Sequence, residues 1–181
     1  RVKIWISRGD NSGTHSKEKS LWTAAGYNYT VLSTESWYAG GGGKMGETLL
    51  KAEEFSAYTL SDIGTYLKYS KDGRITLEAL ITEEKTLLNV YSVIAVNQTR
   101  HPDVNLNDTI IFIKFLISNE TQQLIENYGK NDYGQSLFYR AVEPLKQSSP
   151  TQIVQWIKEY AFFNGSECPQ EYWDGHPELY D

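Results

Sequence analysis

An α/β fold is predicted for this 181-residue chain by three patterns. Strand-like and helix-like segments alternate over the first half, and a tight polar loop joins the first strand to the first helix. The apolar runs are also short and bounded by turn residues. Residues 1–7 alternate as a strand does, with Val2, Ile4 and Ile6 on one face. The chain then becomes small and polar from Arg8 to Thr14. Residues 15–25 read as a helix with Lys17, Glu18 and Lys19 early, Leu21, Trp22, Ala24 and Ala25 later, and Gly26 as its C-terminal stop.

A loop over 27–43 ends in four consecutive glycines, and its segment Ser36-Trp37-Tyr38-Ala39-Gly40 makes a weak strand. Residues 45–55 form the second helix, carrying Leu49, Leu50 and Ala52. Residues 55–60 are short and strand-like, and Ser61 or Asp62 caps a third helix bearing Tyr66, Leu67 and Tyr69. Two further strands are expected at 77–81 and 87–96, the latter long and rich in β-branched residues. Beyond Pro102 the pattern is helical. Asn107 or Asp108 caps 109–117, a helix over 121–128 stops at Gly129, and 150–163 is amphipathic through Ile153, Val154, Ile157 and Phe162. Residues 168–181 read as an irregular acidic tail.

Charge and composition exclude several functions. With 17 Lys and Arg against 23 Asp and Glu, the net charge is −6 and the chain lacks the clustered basic face of a nucleic-acid binder. An anionic ligand would need a small, focused pocket. Ile110 to Ile117 is an apolar run interrupted by Lys114, far short of the roughly 20 residues that span a bilayer. Cys168 is the single cysteine and the three histidines have no metal-site spacing, so neither a disulfide, a metal cation nor a cofactor is expected. The start at Arg1 reads as a processed chain or an excised fragment, and the missing leader does not argue against export. Five Asn-x-Ser/Thr sequons, at Asn28, Asn97, Asn107, Asn119 and Asn164, fit either a glycosylated surface protein or a polar Ser/Thr-rich surface.

The segment from Ser7 to Thr14 carries the most chemistry. The first N–H groups of a helix lack internal acceptors and sit at the positive end of its dipole, so a strand–loop–helix start stabilises a small oxyanion. Glycines permit close approach, Ser7, Ser12 and Thr14 add hydroxyls, and Arg8 adds a planar charged fork. The same pattern also describes an ordinary capped helix with a solvated arginine. Arg8-Gly9-Asp10 matches an adhesion tripeptide, but adhesion needs a mobile tip and not a strand end. Gly41-x-Gly43-x-x-Gly46 with Lys44 fails as a phosphate loop, because Tyr38 stands where the first glycine belongs and Met45 follows the lysine. As a dinucleotide fingerprint it lacks a convincing preceding core strand.

Several motifs occur in one order: Ser7 to Thr14, Leu21-Trp22, Trp37-Tyr38, residues 43–49, residues 57–62, Gly64-Thr65-Tyr66-Leu67 and Leu88-Asn89. In this order they resemble the solute-binding receptors of tungstate ABC transporters over about residues 3–140. The resemblance implies a type II periplasmic-binding-protein fold that closes on dehydrated tungstate or molybdate, with no catalysis and an ABC transporter permease as partner. It places Ser7, Arg8, Ser12, Gly13 and Thr14 at the ion, with Tyr58 and Thr59 close to the same cleft. It also implies a second α/β lobe over 1–88, a mostly helical return into the first lobe over 89–140, and an extension of open role over 141–181. A Thr/Ser-rich motif that the family carries upstream would precede Arg1. The departures Ile63, Val90 and Gln98, where the family has Arg, Pro and Pro, affect loop geometry more than ligand chemistry.

The expected protein is extracytoplasmic and monomeric. A sensory or adhesive ectodomain on the same fold is the alternative. A phosphate- or sulfate-ester hydrolase would need a partner for Asp10 or Asp62, and neither has an evident His or Cys beside it.

Overall fold

The computed structural model describes residues 4–173 and 175–180 and divides into two compact units, Arg1–Thr82 and Glu83–Asp181. In the first unit, strand β1 (Trp5–Ser7) passes through the polar loop into helix α1 (Gly13–Ala24), a short helix α2 (Tyr29–Leu32) and strand β2 (Tyr38–Gly40). The strands pair in parallel, with Trp5 opposite Tyr38, Ile6 opposite Ala39 and Ser7 opposite Gly40. Residues 1–3 of the expected first strand lie outside the described residues.

Strand β2 corrects the sequence reading, which made this segment weak. Three residues ending in glycine carry little intrinsic preference, and the β1 ladder together with the burial of Tyr38 supplies the rest. Helix α3 (Met45–Phe55) buries Met45, Leu49 and Ala52, spaced four and three apart on one face. Ala52 joins Ile6 and Ala57 in one core cluster, while Met45 and Leu49 join Ile75 in another, and Leu77 packs against both. Helix α4 (Ile63–Lys71) is capped by Asp62, which accepts the Thr65 N–H at 2.8 Å.

Two expected strands do not form. Residues 77–81 form no ladder, and 87–96 leaves Tyr91 and Ile94 exposed. β-Branched composition favours an extended backbone, but a ladder requires a partner edge, and none of the described residues supplies one. Residues 55–60 contribute only a single parallel bridge, Tyr58 to Trp5.

The second unit is helical. Helix α5 (Leu106–Ile117) buries Ile110 and Ile113, and its cap is Asn105, not Asn107 or Asp108, with Oδ1 accepting the Asp108 N–H at 3.1 Å. Helix α6 (Asn119–Asn127) packs against it, followed by the short α7 (Lys130–Tyr133) and α8 (Val142–Gln147). Gln122 ties this unit together, donating to the Leu116 carbonyl and accepting the Ala141 N–H. Helix α9 (Thr151–Ala161) buries Val154 and Ile157, and Lys85 pairs with its Glu159. No helix among the described residues is long and apolar enough to cross a membrane.

Candidate anion site

Both parallel strands of the first unit end at one edge, and each leads into a helix whose N-terminus opens there. Such carboxyl edges of α/β sheets are the usual place for a ligand. The Ser7 carbonyl at the end of β1 accepts the Gly41 N–H at 2.5 Å, which draws the two loops together. A Cβ on Gly41 would stand 2.7 Å from Thr48 Oγ1 and 2.9 Å from that same carbonyl, so only glycine fits.

The loop after β1 turns through Gly9 and Asn11, both with positive φ. Asp10 Oδ1 accepts the Ser12 N–H at 3.0 Å, and Asn11 N–H donates to His15 Nδ1 at 2.9 Å. Because Nδ1 is an acceptor, the ring proton sits on Nε2 and points to the Tyr29 hydroxyl 2.8 Å away. At the start of α1, Ser12 Oγ takes the His15 N–H and the Ser12 carbonyl takes that of Ser16. This leaves the amides of Gly13 and Thr14, which among the described residues donate to no protein acceptor. The first turn of α1 holds no acid.

Arg8 lies beside this turn, its side chain about four-fifths buried. Its Nε is 2.8 Å from Asp10 Oδ2 but outside hydrogen-bond geometry, so the contact is electrostatic. The Ser12 hydrogen bonds, and after them the Arg8 charge, hold the Asp10 carboxyl below its ordinary value. The adhesion tripeptide is thus folded on itself, with its Arg and Asp paired.

Of the remaining sequence-predicted residues, Ser7 and Thr59 turn their hydroxyls inward. Ser7 is 1% exposed and its hydroxyl donates to Glu18 Oε2 at 2.8 Å. The Thr59 hydroxyl donates to the Ile6 carbonyl at 2.7 Å. Tyr58 pairs its backbone with Ile4 and Ile6 and leaves its side chain partly exposed. Arg8, Ser12, Gly13 and Thr14 therefore meet at the loop, while Ser7 and Thr59 spend their hydroxyl protons within the protein.

The sequence reading missed Glu18. This carboxylate is 2% exposed and accepts from Ser7 Oγ, Trp5 Nε1 (2.8 Å), Trp22 Nε1 (3.3 Å) and Tyr38 Oη (2.5 Å). Burial, then the Glu18 acceptor, pushes the Tyr38 hydroxyl well above its usual range. The spacing of His15, Glu18 and Trp22 was the available signal, since positions three and seven apart share one helix face. An acid on that face faces inward.

The glycine loop after β2 leads into α3, so the strand–loop–helix context that a dinucleotide fingerprint needs does exist. At this helix start Glu47 accepts the Lys44 N–H at 3.1 Å and its carboxylate lies against Gly43. Among the described residues no three His, Cys, Asp or Glu side chains are grouped to hold a metal ion.

Comparison with known proteins agrees with this architecture. The family described as the PBP superfamily domain matches residues 3–120. The tungstate-binding protein TupA of Peptoclostridium acidaminophilum is 39% identical over 134 residues, covering 74% of this chain and 45% of that protein. The solved tungstate-binding protein TupA from Desulfovibrio alaskensis G20 superposes with a TM-score of 0.67 at 38% identity, over 77% of this chain and 55% of that one. The tungstate ABC transporter structure from Geobacter sulfurreducens gives 0.55 at 36% identity, over 70% and 51%. The chain thus spans about half the length of these relatives. By the match that covers most of its length, this chain belongs to the PBP superfamily.

Proposed function

We propose that this chain carries the anion-gripping part of an extracytoplasmic solute-binding protein that captures tungstate, with molybdate as a second ligand, and delivers it to an ABC transporter permease. The carrying observation is the pair of unengaged amides, Gly13 and Thr14, at a helix N-terminus beside Arg8. Two backbone N–H groups and a guanidinium match the oxygens of a tetrahedral dianion without covalent chemistry. Relatives named for tungstate binding, at 38–39% identity, support this ion over other oxyanions. In this reading residues 1–88 are the second lobe and 89–140 the return into the first, the protein acts as a monomer, and ligand affinity that differs between open and closed forms drives delivery.

The test is calorimetric titration of the full-length protein with sodium tungstate, followed by competition with molybdate and sulfate. Saturable heat with tungstate, displaced by molybdate and resistant to sulfate, is the expected result. Absence of heat with both metal oxyanions overturns the assignment.

A further inference from the structure

We propose that Glu18 is a positioning residue for the anion site, a reading that rests on the oxyanion function above. A buried carboxylate is costly unless its oxygens are hydrogen-bonded, and here Trp5, Trp22 and Tyr38 converge on Oε1 while Ser7 donates to Oε2. Stability alone does not explain it, since well-packed apolar side chains often serve a core as well as a buried charge does. What a carboxylate adds is placement. Its hydroxyl donors come from Ser7, the last residue of β1, and Tyr38, the first of β2, while Glu18 stands on α1 one turn beyond Thr14. One group therefore joins β1 and α1, which the cradle loop connects, to the neighbouring strand β2. It fixes the Arg8 end of β1 against the first turn of α1, and it keeps the Ser7 proton turned inward.

A site held to within about 0.5 Å separates ions by size, and loosening it costs discrimination as well as affinity. Around Glu18 the rings of Trp5 and Trp22 meet edge to face at 5.2 Å, and Trp22 lies 5.8 Å from Trp37, which keeps the carboxylate dry.

The experiment compares full-length parent protein with Glu18→Gln and Tyr38→Phe by titrating tungstate and sulfate, with far-UV circular dichroism of each. Glu18→Gln is expected to weaken tungstate about tenfold, roughly the loss of one well-placed charged hydrogen bond, and to lower the tungstate-to-sulfate affinity ratio. Tyr38→Phe should move both in the same direction by less. A purely structural role would lower the melting temperature of the variants and leave the ratio in the folded protein unchanged, and that result overturns the proposal. Parent protein that binds neither ion removes the functional reading and this one with it, whereas binding by the parent with unchanged ratios in the variants defeats the role of Glu18 alone. If Glu18→Gln loses its helical signal, Tyr38→Phe decides the question.

Discussion

Two helices open at the same edge of one small parallel sheet, and they differ in what stands beside their first turns. α1 begins with a serine cap, has no acid in its first turn, and leaves the Gly13 and Thr14 amides without protein acceptors next to Arg8. α3 begins with Lys44, whose N–H is taken by Glu47 from within its own first turn, whereas the matching Ser12 N–H of α1 is taken by Asp10 from the preceding loop. The backbone dipole is common to both. An acid inside the first turn marks α3, and a guanidinium paired with the loop before the first turn marks α1.

The strongest way to break this contrast is to remove the charged fork. Arg8→Ala is expected to weaken tungstate by at least about 2 kcal/mol, roughly thirtyfold, because a charge-assisted contact in a partly dry site disappears. Arg8→Lys should recover only part of it, since an ammonium is a point charge without planar geometry. Calorimetry on both variants measures the difference, and equal affinities for Arg8→Ala and parent would remove Arg8 from the site.

A backbone change tests the amides themselves. Proline is favoured at the first position of a helix and has no N–H, and Ser12 has the extended backbone a following proline requires. Gly13→Pro should therefore leave α1 folded and cost roughly 1 kcal/mol of anion affinity. Intact binding in a folded variant would mean that the Gly13 amide does not face the ligand. At the other helix the expectation reverses. Glu47→Gln should lower thermal stability by about 0.5 kcal/mol through the weakened cap and leave tungstate affinity unaltered.

The smallest effect concerns Asp10. Its carboxyl titrates below the ordinary 3.8, chiefly through Ser12 and secondarily through Arg8. A carboxyl lowered in the folded state stabilises the turn above its unfolded value and loses that contribution as the pH falls through the folded one. The loop should therefore loosen only below about pH 4. Carbon-detected NMR titration should show the Asp10 midpoint rising more in Ser12→Ala than in Arg8→Ala, and the opposite order would make Arg8 the main cause.

Much of the fold was legible because local rules decide it. The helix start at Asp62 follows from capping chemistry and α3 from its four-and-three apolar spacing, while α1 begins at Gly13, two residues before the expected His15, because Ser12 caps it. The strands were less legible, since Tyr38–Gly40 is a strand only because β1 lies beside it, while residues 87–96 have the composition without a partner. At the site, the Ser7–Thr14 loop could be read from residue types. Which hydroxyls face outward could not, because the fate of the Ser7 and Thr59 protons depends on acceptors at Glu18 and Ile6, 11 and 53 residues away in the chain.

In the proposed reading, a grip confined to one loop of an acidic chain has a kinetic consequence. At a net charge of −6 the chain repels a dianion at distance, and that repulsion is screened over about 8 Å at physiological salt. The proposed attraction of Arg8 and two amides would act only after the ion has crossed this distance. Added salt should therefore speed the encounter by weakening the repulsion, the reverse of an electrostatically steered pair, while the contacts in the partly buried loop change less.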